Sequence, residues 1–393
     1  MARPILLLNC GSSSIKYQVI DADTGQPTAV GIVQKIGLEM GSLTHEAGGT
    51  EHVVEREFPN HQVAIGAVVE MFGAHGPNLN EVVAVGHRTV HGGELFRAPT
   101  VITPEVVERL HELSPLAPLH NPPGIAGIEA AQAALPGIPH VAIFDTAFFS
   151  TLPAEAYTYA IDADLAATHH IRKYGFHGTS HAYVSKKAAE FLGRDYGELR
   201  QIVCHLGNGA SISAIDRGVA VDTSMGLTPL QGLVMGTRSG DVDPGLHAFL
   251  SREGHSPSEV DELLNKRSGM FGLCGYTDMR DVEAQIEAGN ERAIVALDVY
   301  VHRLLHYIGA YLAVLGGVDV ITFTAGVGEN SPLVRSAVLK RLEGLGFWVD
   351  EERNAVRSKQ PRVISRDGSP VTVLVVPTNE ELEMAREVVE AIS

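Results

Sequence analysis

The segment ILLLNCGSSSIKYQVID, residues 5–21, is an apolar run broken by Cys10-Gly11-Ser12-Ser13-Ser14. It resumes with Ile15, Tyr17 and Val19 alternating with Ser14, Lys16 and Gln18. A period of two, carried by β-branched and aromatic residues, predicts a second strand, so the segment reads as strand, tight turn, strand. A Walker loop needs Gly-Lys-Ser/Thr opening a helix, and this segment has neither that tripeptide nor a helical pattern. Glycine permits close backbone approach, and turn N–H groups with hydroxyls can cup an anion. An ordinary serine-rich hairpin turn would look the same in isolation.

The plan recurs. IVCHLGNGASISAIDRG, residues 202–218, is again an apolar strand, then Gly207-Asn208-Gly209-Ala210-Ser211, then alternation through Ile212 and Ile215. VITFTAGVGENSP, residues 320–332, reads as a strand, a Gly326-Val327-Gly328 turn, and a helix capped by Ser331 with Pro332 at its first position. Three strand-ended glycine loops in one chain indicate a phosphate-bearing ligand, since helix N-termini and glycine loops attract phosphate.

With 393 residues and 45% apolar content, two or three domains and a sizeable core are expected. The formal net charge of −17, with no basic block, speaks against nucleic acid and against an anionic membrane surface as partners. Cys10, Cys204 and Cys274 are widely spaced, without metal-type pairing or a signal peptide, which places the chain in reducing cytoplasm. The 18 histidines form no H-E-x-x-H pattern. The apolar stretch Ala293–Leu315 is interrupted by Asp298, His302, Arg303 and His306, and so predicts a long buried or interface helix ending at Gly316-Gly317 rather than a membrane span. Its two-sided apolarity suggests a homodimer seam.

Elsewhere, the proline-rich LSPLAPLHNPPG (113–124) reads as a rigid loop, followed by a helical pattern at 124–135 and a strand at 140–145. A helix over 180–192 is expected to start at a Ser180 cap and stop at Gly193. A strand at 371–376 precedes a last helix from about Glu380 to Ala391. Strand pairs alternating with helices make this an α/β protein, and the two hairpin units suggest two similar halves around a cleft.

Several residues stand out as chemistry-bearing. Arg88 in VGHRTVHGGE and Arg238 in MGTRSGDVDPG lie among small residues, where a planar guanidinium fork suits a carboxylate or phosphate. For Arg238 a salt bridge with Asp241 or Asp243 is the plainer alternative. Asp145 ends an apolar strand, where site residues collect in open α/β sheets, although it could simply cap the next turn. His177, in YGFHGTSH, precedes a helix start and could equally be structural. With Thr378 as cap, Glu381 closes a capping box, which leaves Glu380 as the better metal ligand.

Taken in order, LLLNCGSSSIK, GHRTVHGG, LAPLHNPP, FDTAF, RKYGFHGTSH, HLGNGAS, MGLTPLQGLVMGTRSGDVDPG, FTAGVGENS and PTNEE closely resemble the acetate kinase (acetokinase) family of the sugar kinase–Hsp70–actin superfamily, nearly end to end. The resemblance implies two duplicated α/β domains around a central cleft, residues 1–148 plus 382–393 and residues 149–381. It implies ATP + acetate ⇌ ADP + acetyl phosphate by direct in-line transfer, with Mg²⁺, or Mn²⁺ in its place. By the same resemblance Arg88 and Arg238 hold the carboxylate and the phosphoryl in transit. His177 hydrogen-bonds that phosphoryl, and Asp145 positions the site and its metal. Asn9 and Glu380 belong to the metal site, and Ser12, Ser14 and Lys16 face phosphates. His205, Leu206, Gly207, Asn208 and Gly209, with Asp278, Met279 and Arg280, and with Gly326, Val327, Gly328, Glu329 and Asn330, receive the nucleotide. Val90, Leu119 and Pro229 line the methyl pocket; Val90 is expected to share a strand face with Arg88. Thr89, Phe149-Ser150 and Cys274 depart from the residues more usual in relatives.

The chemistry needs no strong base. A carboxyl group with a pKa of roughly 4–5 is already ionised at pH 7. Phosphoryl transfer then rests on alignment and charge neutralisation. A propionate or butyrate kinase would share every motif except pocket size. A non-catalytic ATP-switch module would keep the glycine loops without needing Arg88, Arg238 and His177.

Overall fold

A computed structural model describes residues 3–118 and 120–393. The chain divides into two units, Met1–Ser150 with Asn379–Ser393, and Thr151–Thr378.

The first unit is built on an eight-stranded sheet of β1 (Pro4–Cys10), β2 (Ser14–Asp21), β3 (Pro27–Gln34), β4 (Gly41–Ala47), β5 (Thr50–Arg56), β6 (Ala84–Thr89), β7 (Thr100–Val101) and β8 (His140–Phe144), in the order β5-β4-β3-β2-β1-β6-β8-β7. The alternation read in residues 14–19 is the observed one: Ile15, Tyr17 and Val19 are buried while Lys16 is exposed. Gly11 N–H donates to the Ser14 carbonyl at 2.8 Å, closing the turn. Leu6, Leu8, Ile15, Tyr17 and Val19 pack in one core with Ala64, Val68 and Phe72 of the His61–His75 helix and Ala131 of the Asn121–Ala134 helix. Each large side chain so buried contributes roughly 1.5–3 kcal/mol. A Cβ at Gly31 would lie 2.1 Å from the Tyr17 ring, so only glycine fits there on β3. The C-terminal helix, Glu380–Ile392, returns to pack on β1, β2, β6 and β8.

The second unit carries β9 (Arg200–Leu206), β10 (Ala210–Asp216), β11 (Val219–Thr223), β12 (Val320–Thr324), β13 (Arg362–Val363) and β14 (Thr372–Val375), in the order β11-β10-β9-β12-β14-β13. In both units the hairpin strands pair antiparallel and the next two strands join parallel: β1 with β2 and β6, then β8; β9 with β10 and β12, then β14. The runs β3-β2-β1-β6-β8 and β11-β10-β9-β12-β14 therefore have the same order and sense, and the duplication anticipated from the two hairpins is present. The long helix spans Glu291–Leu315 and ends at Gly316 in the left-handed conformation. Ala296, Tyr300, Leu304 and Ile308, four residues apart, form its buried stripe. Among the described residues, no helix is long and apolar enough to cross a membrane.

Several local expectations failed. The Gly326-Val327-Gly328 segment is a short helix, Ala325–Asn330, rather than a turn; Glu329 holds its start by accepting from Ala325 N–H at 2.9 Å. Ser331 does cap the following helix, Pro332–Arg341. The 113–124 segment is not a plain loop. Residues Ser114–Leu116 form a 3₁₀ turn, and Asn121-Pro122-Pro123 open the Asn121–Ala134 helix, since prolines in a first turn forfeit only N–H groups without intrahelical partners. The helix expected at Ser180 begins at Gly178 with His177 as its N-cap residue, so Ser180 lies inside it. Thr378 does not cap the last helix: Asn379 does, accepting from Leu382 N–H at 2.9 Å, and the capping box assigned to Glu381 is absent. The Thr378 hydroxyl instead bonds Ser180 Oγ at 2.8 Å. Strand β6 ends at Thr89, so the alternation that would put Val90 on the face of Arg88 stops short of Val90.

Candidate active site

In the first unit, parallel pairing of β6 with β8 sets Arg88 opposite Ile143, and Asp145 follows directly after β8. Arg88 Nε donates to Asp145 Oδ1 at 3.0 Å and Nη2 to Oδ2 at 2.9 Å, a fork-to-fork pair with Asp145 only 3% exposed. The capping role considered for Asp145 is thereby displaced. Glu380 Oε2 lies 3.4 Å from the same Nη2. Asp145, and secondarily Glu380, hold the Arg88 guanidinium firmly charged, its pKa raised above the ordinary value. Burial, reinforced by Asp145 and Glu381, raises the Glu380 carboxyl's pKa against the opposing pull of Arg88. Asn9, Lys16, Arg88, Glu380 and Glu381 line one cavity of about 340 Å³. Ser14 is half-buried and Ser12 exposed at the hairpin turn.

Asn9 and Glu380 offer oxygen donors, the set a hard cation such as Mg²⁺ takes when it keeps several waters and gains its remaining ligands from substrate phosphates. Among the described residues, no group of three His, Cys, Asp or Glu side chains forms a cation cage. This donor set therefore fits a metal that arrives with its nucleotide better than a resident one. The Thr89 hydroxyl, beside Arg88, is buried without a hydrogen-bond partner.

In the second unit, His177 adopts a left-handed backbone, φ +59°, at the start of the Gly178–Leu192 helix. For a residue with a Cβ this costs on the order of 1–3 kcal/mol and persists only where the surroundings impose it. Its ring stacks on His205 at 4.4 Å between centroids, and its Nδ1 lies 2.9 Å from Ser211 Oγ. A Cβ added to Gly209 would sit 3.4 Å from His177 Nε2 and 3.7 Å from Arg238 Nη1. The space glycine leaves is flanked by an imidazole nitrogen and a guanidinium.

Arg238 Nη1 donates to the Pro229 carbonyl at 3.2 Å, and no carboxylate pairs with it among the described residues. The salt-bridge alternative fails on geometry. Asp241 is taken by Arg303 at 3.2 Å, Tyr307 at 2.7 Å and Gly232 N–H at 2.9 Å, while Asp243 accepts from Gly245 N–H. Burial lowers the Arg238 pKa, the mark of a cation that would gain from an anion.

A second cavity, about 650 Å³, gathers Gly207, Asn208, Asp278, Met279, Arg280, Gly326, Val327 and Asn330. Three segments distant in sequence thus meet. Arg280 holds the Asp278 carboxylate near pKa 2 by a side-chain hydrogen bond. His205, Leu206, Gly209, Gly328 and Glu329, also expected at the nucleotide, are not among the residues that line this cavity. His205 Nδ1 pairs with Ser180 Oγ at 2.8 Å, and Leu206 is buried. The Gly328 carbonyl accepts from Arg335 Nη1 at 2.8 Å, and Glu329 accepts from Ala325 and Thr378 N–H groups. Thr277, Glu283 and Arg357 also line this cavity and went unnoticed in the sequence, because nothing local marks them, and Ser331, read there as a helix cap, lines it too. Pro229 belongs to this unit and Val90 to the other; Leu119, the third expected pocket residue, lies outside the described residues.

The acetokinase family model matches residues 4–386. The chain is 55% identical over 392 residues to an acetate kinase of Leifsonia xyli subsp. xyli, covering 99% of each. Among solved structures, it is similar to Porphyromonas gingivalis acetate kinase, with TM-score 0.96, 46% identity and 100% of both chains covered. It is also similar to a propionate kinase from Francisella tularensis subsp. tularensis, with TM-score 0.91, 39% identity and 98% of each chain covered.

Proposed function

The chain belongs to the acetokinase family, and we propose on that footing that it transfers the γ-phosphoryl of ATP directly to the carboxylate of acetate, reversibly, giving acetyl phosphate and ADP. The observation that carries the reading is the space at Gly209 flanked by His177 Nε2 and by an Arg238 guanidinium without a carboxylate. A switch module that only binds nucleotide has no use for that pair. Arg238 neutralises charge on the phosphoryl in transit, and His177 hydrogen-bonds it. Arg88, held in plane by Asp145, grips the acyl carboxylate. Neither needs to remove a proton, since the acceptor is already an anion. Gly207, Asn208, Gly326, Val327 and Asn330 receive the nucleotide, and Lys16 with the hairpin hydroxyls Ser12 and Ser14 faces its phosphates.

Asn9 and Glu380 would hold Mg²⁺, or Mn²⁺, which supplies charge neutralisation to the nucleotide phosphates when bound. Glu380→Ala then raises the Mg²⁺ concentration needed for half-maximal rate without unfolding the chain; an unshifted titration removes Glu380 from that role. The exposed Ile294, Val295, Val299 and Val314 of the long helix support a homodimer, checked by light scattering on the purified chain. Three free cysteines fit a reducing cytoplasm.

The test of the whole reading is a hydroxylamine trap for acyl phosphate, run with ATP and acetate, propionate or butyrate. One methylene in a pocket is worth about 1–3 kcal/mol, or roughly 10–200-fold, so acetate leads, propionate follows and butyrate is poor. Formation of no acyl phosphate from any acid overturns the kinase reading, and a propionate or butyrate preference overturns the choice of acetate alone.

A further inference from the structure

Behind His177 runs a buried chain of hydrogen bonds that the proposed chemistry does not touch. His177 Nδ1 lies 2.9 Å from Ser211 Oγ, and Ser211 Oγ lies 2.7 Å from His181 Nε2. His181 Nδ1 lies 2.8 Å from Ser213 Oγ. His181, Ser211 and Ser213 are each 0% exposed. The arrangement follows from a helix start and a strand: His177 caps the helix, its carbonyl accepting from His181 N–H at 3.0 Å in the first turn, and residues 211 and 213 share one face of β10.

The chain has two possible directions, and hydrogen counting separates them. In one, the Ser213 hydroxyl donates to His181 Nδ1, His181 Nε2–H donates to Ser211 Oγ, and the Ser211 hydroxyl donates to His177 Nδ1. His177 then carries its own proton on Nε2. In the other, every donor is reversed and Nε2 is bare. Among the described residues Ser213 Oγ has no side-chain hydrogen-bond partner besides His181, and Ser211 Oγ none besides the two histidines. Reversal would therefore strand the Ser213 hydroxyl hydrogen in the core, at a cost of roughly 1–3 kcal/mol. The first direction spends each hydrogen once. It also needs His181 neutral, and burial with His205 alongside holds its pKa well below the ordinary value.

We propose that Ser213, His181 and Ser211 are positioning residues that pin the His177 proton on Nε2, where it faces the space at Gly209 as a donor to a phosphoryl oxygen. The inference rests on the proposed function for the ligand, but the proton's location does not depend on it. A neutral donor there is useful because the nitrogen would otherwise present a lone pair to an anion.

The test is a ¹⁵N spectrum of the full-length free protein at pH 8, with the His177 signals assigned by their loss in His177→Gln. A pyrrole-type shift at Nε2 and a pyridine-type shift at Nδ1 are expected. The opposite tautomer, or a doubly protonated ring, overturns the proposal. Ser213→Ala, which changes a group that does not bond His177, should turn that pure signature into a mixture and lower kcat a few-fold. Ser211→Ala should cost about 10–100-fold in kcat, the usual size of such supporting contacts, with KM for ATP and acetate held. An unchanged His177 spectrum and unchanged kcat in Ser213→Ala overturn the relay; should that variant not fold, the wild-type spectrum decides alone. A wild-type protein that makes acetyl phosphate while showing the wrong tautomer sinks this inference and leaves the kinase reading intact.

Discussion

Arg88 and Asp145 meet as two parallel hydrogen bonds, Nε to Oδ1 at 3.0 Å and Nη2 to Oδ2 at 2.9 Å, at the ends of adjacent parallel strands. The aspartate fixes the plane of the guanidinium, and its remaining N–H groups are what a substrate carboxylate can use. Asp145 is thus placed to act through Arg88. Asp145→Asn keeps the volume and one acceptor but turns an amide N–H₂ toward the cation. A misplaced binding group can cost about 10²-fold, so kcat/KM for acetate should fall by that order while KM for ATP holds. Asp145→Ala should in addition destabilise the first unit by about 3 kcal/mol, as expected when one partner of a buried pair is removed. Unaltered acetate kinetics in Asp145→Asn would dissociate Asp145 from substrate binding.

Arg238 gives the opposite stability result. Its burial lowers its pKa and no carboxylate compensates it among the described residues, so the folded chain gains little from this cation. Arg238→Ala should leave the melting temperature level or raised while kcat falls ~10³-fold or more. Lysine should restore little, because a point charge does not replace a fork. Near-normal turnover in the alanine variant would make Arg238 a scaffold residue.

Acid should weaken the first unit through His87 and His140. His140 Nε2 donates to the Leu135 carbonyl at 3.2 Å, so its Nδ1 is an acceptor and His87 Nε2–H donates to it at 2.9 Å. Burial lowers both pKa values, with His140 adding to the shift of His87. Because the folded-state values lie below the ordinary 6.5, both rings are neutral in either state above that pH and their contribution is complete there. Below it the unfolded chain binds more protons, and stability falls by up to about 1.4 kcal/mol per pH unit for each histidine. Thermal midpoints at pH 7.5, 6.5 and 5.5 check this: wild type should decline more steeply than His87→Gln. Parallel curves would place the acid sensitivity elsewhere.

The two hairpins were legible because residues 14–19 carry a clean period of two, which needs no partner to be read, and 210–214 repeat it with smaller residues after a second glycine turn. Arg88, Asp145, His177 and Arg238 were legible as chemically incongruous residues in apolar or glycine-rich surroundings. Capping was misread where long-range bonds override local rules. The Thr378 hydroxyl is drawn to Ser180, 198 positions away in sequence, and the cap passes to Asn379. The Glu380 argument built on Glu381 as a capping residue falls with it. What now singles out Glu380 is its 3.4 Å approach to Arg88. The Ser211–His181 relay left a trace in the spacings H-x-x-x-H and S-x-S, but only the register of helix against strand gives those spacings meaning.

Asn208 offers a way to disturb the proposed nucleotide site without touching the residues proposed to meet acetate. Gly236 N–H donates to the Asn208 carbonyl at 2.9 Å, and a Cβ on Gly236 would stand 2.0 Å from Asn208 Oδ1 but no closer than 3.4 Å to the Asn208 carbonyl oxygen. The obstacle is the far end of a side chain, so Gly236→Ala is met by rotation of Asn208, not by movement of backbone. Gly240 is the contrasting case. Its φ is +68°, and a Cβ there would meet the carbonyls of Leu233 and Gly232 at 2.3 and 2.5 Å, so Gly240→Ala would damage the fold and report nothing about the site. In Gly236→Ala the Asn208 amide leaves the wall of the 650 Å³ cavity. The loss of about one hydrogen bond's net worth, on the order of 1 kcal/mol, should raise KM for ATP roughly five- to tenfold. KM for acetate and the circular dichroism spectrum should not move. A rise in the acetate KM with ATP unaffected would show that this cavity does not serve the nucleotide.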